Sequence, residues 1–188
     1  MRQYRAIISS IFLILFFGSV SMAATGLEKG FMQYEWGENI AKHEDLTRLY
    51  SKEDITFYSN PSELYTLDDI SINNVVLGYY KRNLFAVYIG IDTLEVFDRI
   101  KQHMNLNYGL PTTKTGGEDQ VTLKWKYKDI TIKLKINEID EKMKLAFYYR
   151  PLLRELKKDQ FEELDDTSLQ FFPIEKNKKP KMIPFLKF

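Results

Sequence analysis

"VTLKWKYKDITIKLKINEIDEKMKLAFYYR", residues Val121 to Arg150, alternates apolar and polar side chains almost without interruption. Successive side chains of a β-strand point to opposite faces, so period-two alternation marks a strand with one buried side. Val121, Leu123, Trp125 and Tyr127 share one side of a first strand, with Thr122, Lys124, Lys126 and Lys128 on the other. Ile130, Ile132, Leu134 and Ile136 form the buried set of a second strand, and Met143, Leu145, Phe147 and Tyr149 that of a third. Tight turns near Asp129 and from Asn137 to Lys142 let the register change between them, as antiparallel hairpins require.

Burying the apolar set commits Lys124, Lys126, Lys133, Lys135, Lys144 and Arg150 to the opposite side. Like charges directly across neighbouring strands repel, so such a face is tolerated unless something compensates it. Three readings remain open. The lysines keep a solvated face soluble and discourage edge aggregation. An acidic helix after Pro151, with Glu155, Asp159, Glu162 and Glu163, lies over them. Or the face binds an anionic partner, with Tyr148 on the same side and Tyr80 and Tyr88 extending it; aromatic rings among cations suit sugars and anionic polymers.

Outward from this meander, "NNVVLGYYKRNLFAVYIGI" (Asn73 to Ile91) reads as a hairpin turning at Lys81 to Asn83. "TLEVFDRIKQHMNLNYG" follows, with Val96, Phe97, Ile100, His103 and Met104 along one helical stripe, a capping-box start at Asp92 and Glu95, and Gly109 and Pro111 as the stop. Gly116 and Gly117 mark a loop. Earlier, "EWGENIAKHEDLTRLY" breaks at Trp36-Gly37 and then is expected to form a helix on which Ile40, His43 or Glu44, Leu46 or Thr47, and Tyr50 recur, and "DITFYSNPSELYTLDDISI" two short β-prone runs about Asn60-Pro61. "LLRELKKDQFEELDD" predicts a last helix with Leu153, Leu156 and Leu164 on one side. The predicted class is α+β: an antiparallel sheet of about five strands, a helix crossing its apolar face, and small flanking helices.

The first residues set the compartment. Arg2 and Arg5, an uncharged apolar run from Ala6 to about Val20, and small residues Ser21 and Ala23 make a secretory signal peptide with cleavage between Ala23 and Ala24. An uncleaved membrane anchor is the alternative. The organisation expected is a signal peptide over 1–23, one α+β domain over 24–170, and a basic aromatic tail over 171–188 that is extended or disordered alone. The chain has no cysteine, which excludes a lipobox thiol, disulfides and thiolate chemistry. Export without disulfides fits a bacterial envelope. Acidic residues predominate from Ala24 to Gln120, basic ones from Val121 to Arg150, acidic ones again to Gln170 and basic ones to Phe188, which makes a bipolar surface.

Catalytic constellations are sparse. His43 and His103 are the only histidines, and His103 belongs to or borders an apolar stripe. "KHED" at Lys42 to Asp45 places a histidine beside two carboxylates, but neighbouring helical positions diverge and do not chelate one ion. There is no G-x-S-x-G, H-E-x-x-H or P-loop, and "NEIDEK" lacks the glycine and spacing of a calcium loop. No cofactor or metal is expected, and nucleic acid is not an expected partner.

The order "GFMQYEWG", the hairpin "VVLGYYKRNLFAVYIGI", a helix ending "NYGLP" and a strand about the tryptophan of "LKWKY" resembles a group of small exported bacterial proteins of unassigned function, over roughly Phe31 to Arg150. That resemblance implies an envelope location and an α+β fold, and supplies no active site. Three functions remain: a non-enzymatic binding or interaction module of the envelope, with an envelope protein or anionic polymer as partner; an inhibitor or accessory subunit of an envelope enzyme; and a hydrolase with a carboxylate pair. Residues Lys124, Lys126, Lys133, Lys135, Lys144, Tyr148 and Arg150 are the candidate binding set.

Overall fold

The computed structural model describes residues 26–67, 70–72, 74–116, 120–137, 142–157 and 181–186. The expected signal segment, the acidic residues Asp159, Glu162 and Glu163, Leu164, most of the Asn137 to Lys142 turn and the tail outside 181–186 lie beyond them. In chain order the elements are β1 (Gly30–Phe31), β2 (Tyr34–Glu35), a 3-10 turn (Ile40–Lys42), β3 (Thr47–Lys52), β4 (Ile55–Ser59), β5 (Glu63–Leu67), β6 (Ile70–Ile72), β7 (Val75–Tyr80) and β8 (Asn83–Ile91). There follow α1 (Leu94–Tyr108), β9 (Thr112–Gly116), β10 (Gln120–Tyr127), β11 (Ile130–Asn137), β12 (Lys142–Tyr149), α2 (Arg150–Lys157) and β13 (Lys181–Leu186).

The main sheet has eight strands in the order β3-β4-β7-β8-β12-β11-β10-β9, each antiparallel to its neighbours. The α+β class therefore holds, but the expected sheet of about five strands is too small. Two misreadings account for much of the difference. The helix expected after the Trp36-Gly37 break, from Ile40 to Tyr50, is instead one 3-10 turn, capped by the Asn39 side chain, followed by β3. The stretch leading into the expected Gly116-Gly117 loop, Thr112–Gly116, is β9, an unforeseen edge strand paired with β10, and Gly117 itself lies outside the described residues. A β5–β6 excursion between β4 and β7, joined by β13, makes a separate three-stranded sheet.

The meander reads as its alternation predicts. β10 and β11 pair from Gln120↔Asn137 to Tyr127↔Ile130, and β11 and β12 from Ile130↔Tyr149 to Asn137↔Lys142. The connection β8–α1–β9 carries the chain across the sheet to its far edge, and β9 to β12 then return strand by strand until β12 pairs with β8. The helix between them is capped by Thr93, whose hydroxyl accepts from the Val96 N–H at 3.3 Å; the capping residue is thus one position later than the expected Asp92. Gly109 ends the helix at φ 79°, a conformation that glycine adopts without steric cost, and its carbonyl accepts from Trp125 Nε1 at 2.8 Å, tying the helix end to β10.

Each side of the sheet carries a core. On one side Val96, Phe97, Ile100 and Met104 of α1 pack with Leu77, Val87, Ile89, Leu123, Trp125, Ile132, Leu134, Leu145 and Phe147, joined by Phe31, Tyr34 and Tyr65 from the N-terminal hairpin and β5. His103 is half-buried at the edge of this stripe. On the other side Leu153 and Leu156 of α2 cover Ile55, Phe57, Val76, Tyr80, Phe85, Ala86, Tyr88, Ala146 and Tyr148. A bulge opposite Gly78 lets both Phe85 and Ala86 face this second core, and a Cβ on Gly78 would lie 3.0 Å from the Phe85 ring. The face opposite α1 is consequently apolar at its β4, β7 and β8 end and lysine-rich at its β10 and β11 end.

Candidate functional site: the lysine end of the second face

Register alone brings the lysines together. Lys124 of β10 lies directly opposite Lys133 of β11, and Lys135 of β11 lies between Thr122 of β10 and Lys144 of β12. Lys126 is exposed opposite Thr131, while Lys124, Lys133 and Lys144 are half-buried. Lys135 is only 7% exposed, unusual for a lysine. Lys124, Lys133, Lys135 and Lys144 all take part in interactions within the chain. The positive groups are thus held at strand spacing by a rigid backbone.

The two non-lysine members of the expected set sit differently. Tyr148 is 1% exposed, a member of the second core, edge-on to Tyr88 with ring centroids 5.7 Å apart. Tyr80 and Tyr88 are buried with it. These rings therefore extend the face as packing beneath α2, not as a stacking platform for an outside ligand. What Tyr148 offers the lysine field is its π-face: Lys133 Nζ lies 5.1 Å from the ring centroid, a cation–π contact. Arg150 opens α2 and turns back onto the β10–β11 turn, donating through Nη2 to the Lys128 carbonyl and to Asp129 Oδ1 at 3.2 Å. Its own N–H donates to the Asp129 carbonyl at 2.8 Å, so Arg150 fastens the meander to the last helix. Glu155 is exposed on α2.

A second polar constellation had no counterpart in the sequence reading. Glu63 of β5 accepts from Gln33 Nε2 at 2.7 and 2.8 Å, from the Tyr65 hydroxyl at 2.7 Å and from the Tyr34 hydroxyl at 3.2 Å. Asn60 Nδ2 donates to the Tyr34 hydroxyl at 3.1 Å and to Asp45 Oδ2 at 2.5 Å. His43 Nε2 meets Glu38 Oε1 at 2.6 Å, and its ring lies edge-on to Tyr34. Within "KHED", Lys42 and His43 thus both meet Glu38, whereas Asp45 turns to Asn60. Among the described residues no group of three His, Asp or Glu side chains is placed to hold a metal ion. Burial pushes the Tyr34, Tyr65 and Tyr79 hydroxyls well above the usual phenol range, with nearby carboxylates acting in the same direction. Neutral and buried, Tyr34 and Tyr65 latch the N-terminal hairpin onto β5 through their shared bonds to Glu63. No local motif announces them, because Gln33, Tyr34, Asp45, Asn60 and Glu63 meet only after the chain has doubled back twice.

Among the described residues no helix is long and apolar enough to cross a membrane. No protein-family model, curated protein or solved structure matches the chain.

Proposed function

We propose that this chain is an exported, non-enzymatic binding module of the bacterial envelope, which engages an anionic polymer or an acidic protein surface through the lysine end of its second face. The observation that carries the reading is the pair of directly opposed lysine couples, Lys124 with Lys133 and Lys135 with Lys144, on three adjacent strands. Opposed like charges cost stability, and their field is offset by negative charge brought to the same face. Because these lysines already interact within the chain, a partner meets a pre-organised field and adds to its compensation. The basic start, apolar run and Ala23-Ala24 exit support export, as does the resemblance to small exported bacterial proteins.

Binding of this kind is chiefly electrostatic, and exposed charges are screened over about 8 Å at physiological salt. Retention of the protein on an anionic matrix and on envelope extract is therefore expected to fall steeply with added salt. It is also expected to fall when Lys124, Lys126 and Lys144 are changed together to serine, with little change in thermal midpoint. Lys135 is left in place because it is buried. A parallel variant with Lys176, Lys178 and Lys179 changed to serine separates the basic tail. If only the tail variant loses retention, the sheet face is not the binding element; if neither does, the lysines serve solubility. N-terminal sequencing of envelope material should begin at Ala24, and an intact Met1 would overturn the cleaved form.

A further inference from the structure

The last strand of the chain is held in an unusual way. β13 lies at the edge of the small sheet and runs parallel to β5, with Lys181↔Glu63, Met182↔Leu64, Ile183↔Tyr65 and Pro184↔Thr66 in register. Among the described residues β5 is its only strand partner. Pro184 brings no N–H to the ladder, and after it the register slips, so that Leu186 meets Leu67. Short and interrupted by a proline, the donor strand makes a weaker ladder than an unbroken strand of the same length.

The acceptor is fastened independently. Tyr65 is buried in the first core with its ring 6.0 Å from that of Phe31, and Glu63 is held by Gln33, Tyr34 and Tyr65. β6 pairs with the other edge of β5 through Tyr65↔Ile72, Thr66↔Ser71 and Leu67↔Ile70. None of these ties passes through β13. β5 therefore keeps its conformation and presents a free row of backbone donors and acceptors whenever β13 departs, which is the requirement for strand addition.

We infer that the outer edge of β5 is a strand-acceptor site with an exchangeable occupant: residues 181–186 of the same chain in dilute solution, and the same segment of a second copy when the protein is concentrated. Exchange of an identical element between protomers needs no new contact chemistry. A tethered segment competes at an effective concentration of about the millimolar range, so the chain's own tail wins until a free segment approaches that level. This inference stands apart from the lysine face, which lies on the main sheet.

The chain's lack of cysteine makes the test clean. Leu64→Cys and Met182→Cys in the full chain place one thiol on each strand at paired positions. After equilibration from micromolar to millimolar protein and mild oxidation, non-reducing electrophoresis is expected to show an intramolecular cross-link in dilute samples and a disulfide-linked dimer whose share rises with concentration. A cross-link confined to the monomer at every concentration would make β13 a fixed structural strand and overturn the inference, and so would the absence of any cross-link. A second measurement avoids the double substitution. The full chain carrying Leu64→Cys alone is oxidised with a synthetic peptide of residues 180–188 that has cysteine in place of Met182, or with a scrambled peptide of the same composition. Capture of the native-order peptide is expected to exceed that of the scrambled one at least tenfold, and equal capture would overturn the inference.

Discussion

At the scale of single residues, the tyrosine hydroxyls beneath the N-terminal hairpin show how burial and bonding divide the work. Tyr34 both accepts from Asn60 and donates to Glu63, whereas the buried Tyr79 hydroxyl has no hydrogen-bond partner among the described residues. Removing a bonded hydroxyl leaves its partners unsatisfied, but removing an orphan relieves a desolvated group. Tyr34→Phe is therefore expected to lower stability by about 1–3 kcal/mol, and Tyr79→Phe to leave it unchanged or raise it by up to about 1 kcal/mol, read as shifts in denaturant midpoint. The same tyrosines set the alkaline limit. Burial, first among the causes, raises the folded-state pKa of Tyr34, Tyr65 and Tyr79 above the unfolded value of about 10. A group whose folded pKa is raised contributes stability that is fully present below the unfolded pKa and is lost as pH climbs past it toward the folded one. Tyrosinate absorbance should accordingly appear in two classes above pH about 10, surface rings first and a buried class only together with loss of the circular dichroism signal. Full ionisation of all tyrosines with the fold intact would refute this.

At the scale of elements, the faces of the meander make the sharpest contrast. Leu134 is fully buried against α1's side of the sheet and Lys126 stands exposed on the other. Leu134→Ala is expected to cost about 2–5 kcal/mol and Lys126→Ala less than about 0.5 kcal/mol, both by chemical denaturation. A reversal would mean the faces are inverted. This much was legible because β10, β11 and β12 keep strict period two over long runs, and nothing but a half-buried strand produces that pattern. β3 was not legible: a register shift between Arg48 and Tyr50 breaks its alternation, and the remaining spacing imitates a helix. β9 is short, polar and confined to an edge, so its residues carry little hydrophobic signal. The candidate site was legible to the same degree. The lysines came out on one side and in opposed pairs, but the burial of Tyr148 depends on α2 and the engagement of Arg150 on the Lys128 to Asp129 turn, contacts that no local pattern encodes.

At the scale of the whole molecule, one sheet serves two cores, and that arrangement makes a definite demand on how the protein unfolds. β7, β8 and β12 each contribute alternate residues to both sides, such as Leu77 and Val76, Val87 and Tyr88, and Phe147 and Tyr148. Loss of either core frees the same backbone ladder, so the two are expected to melt together in a single cooperative transition. Ile100→Ala, beneath α1, and Leu156→Ala, beneath α2, remove comparable fully buried side chains from opposite sides. Each is expected to shift the one transition by about 2–5 kcal/mol, with similar denaturant dependence. Sharing no neighbours, the two should combine additively to within about 0.5 kcal/mol in the double variant. The alternative is an α2 that detaches alone. In that case Leu156→Ala would produce a separate early transition, and amide exchange at α2 would speed up while β8 and β12 stayed protected. The second core would then be a satellite of the first. A single shifted transition with uniform loss of protection across β7, β8 and β12 is the result expected of a sheet whose two sides hold each other in place.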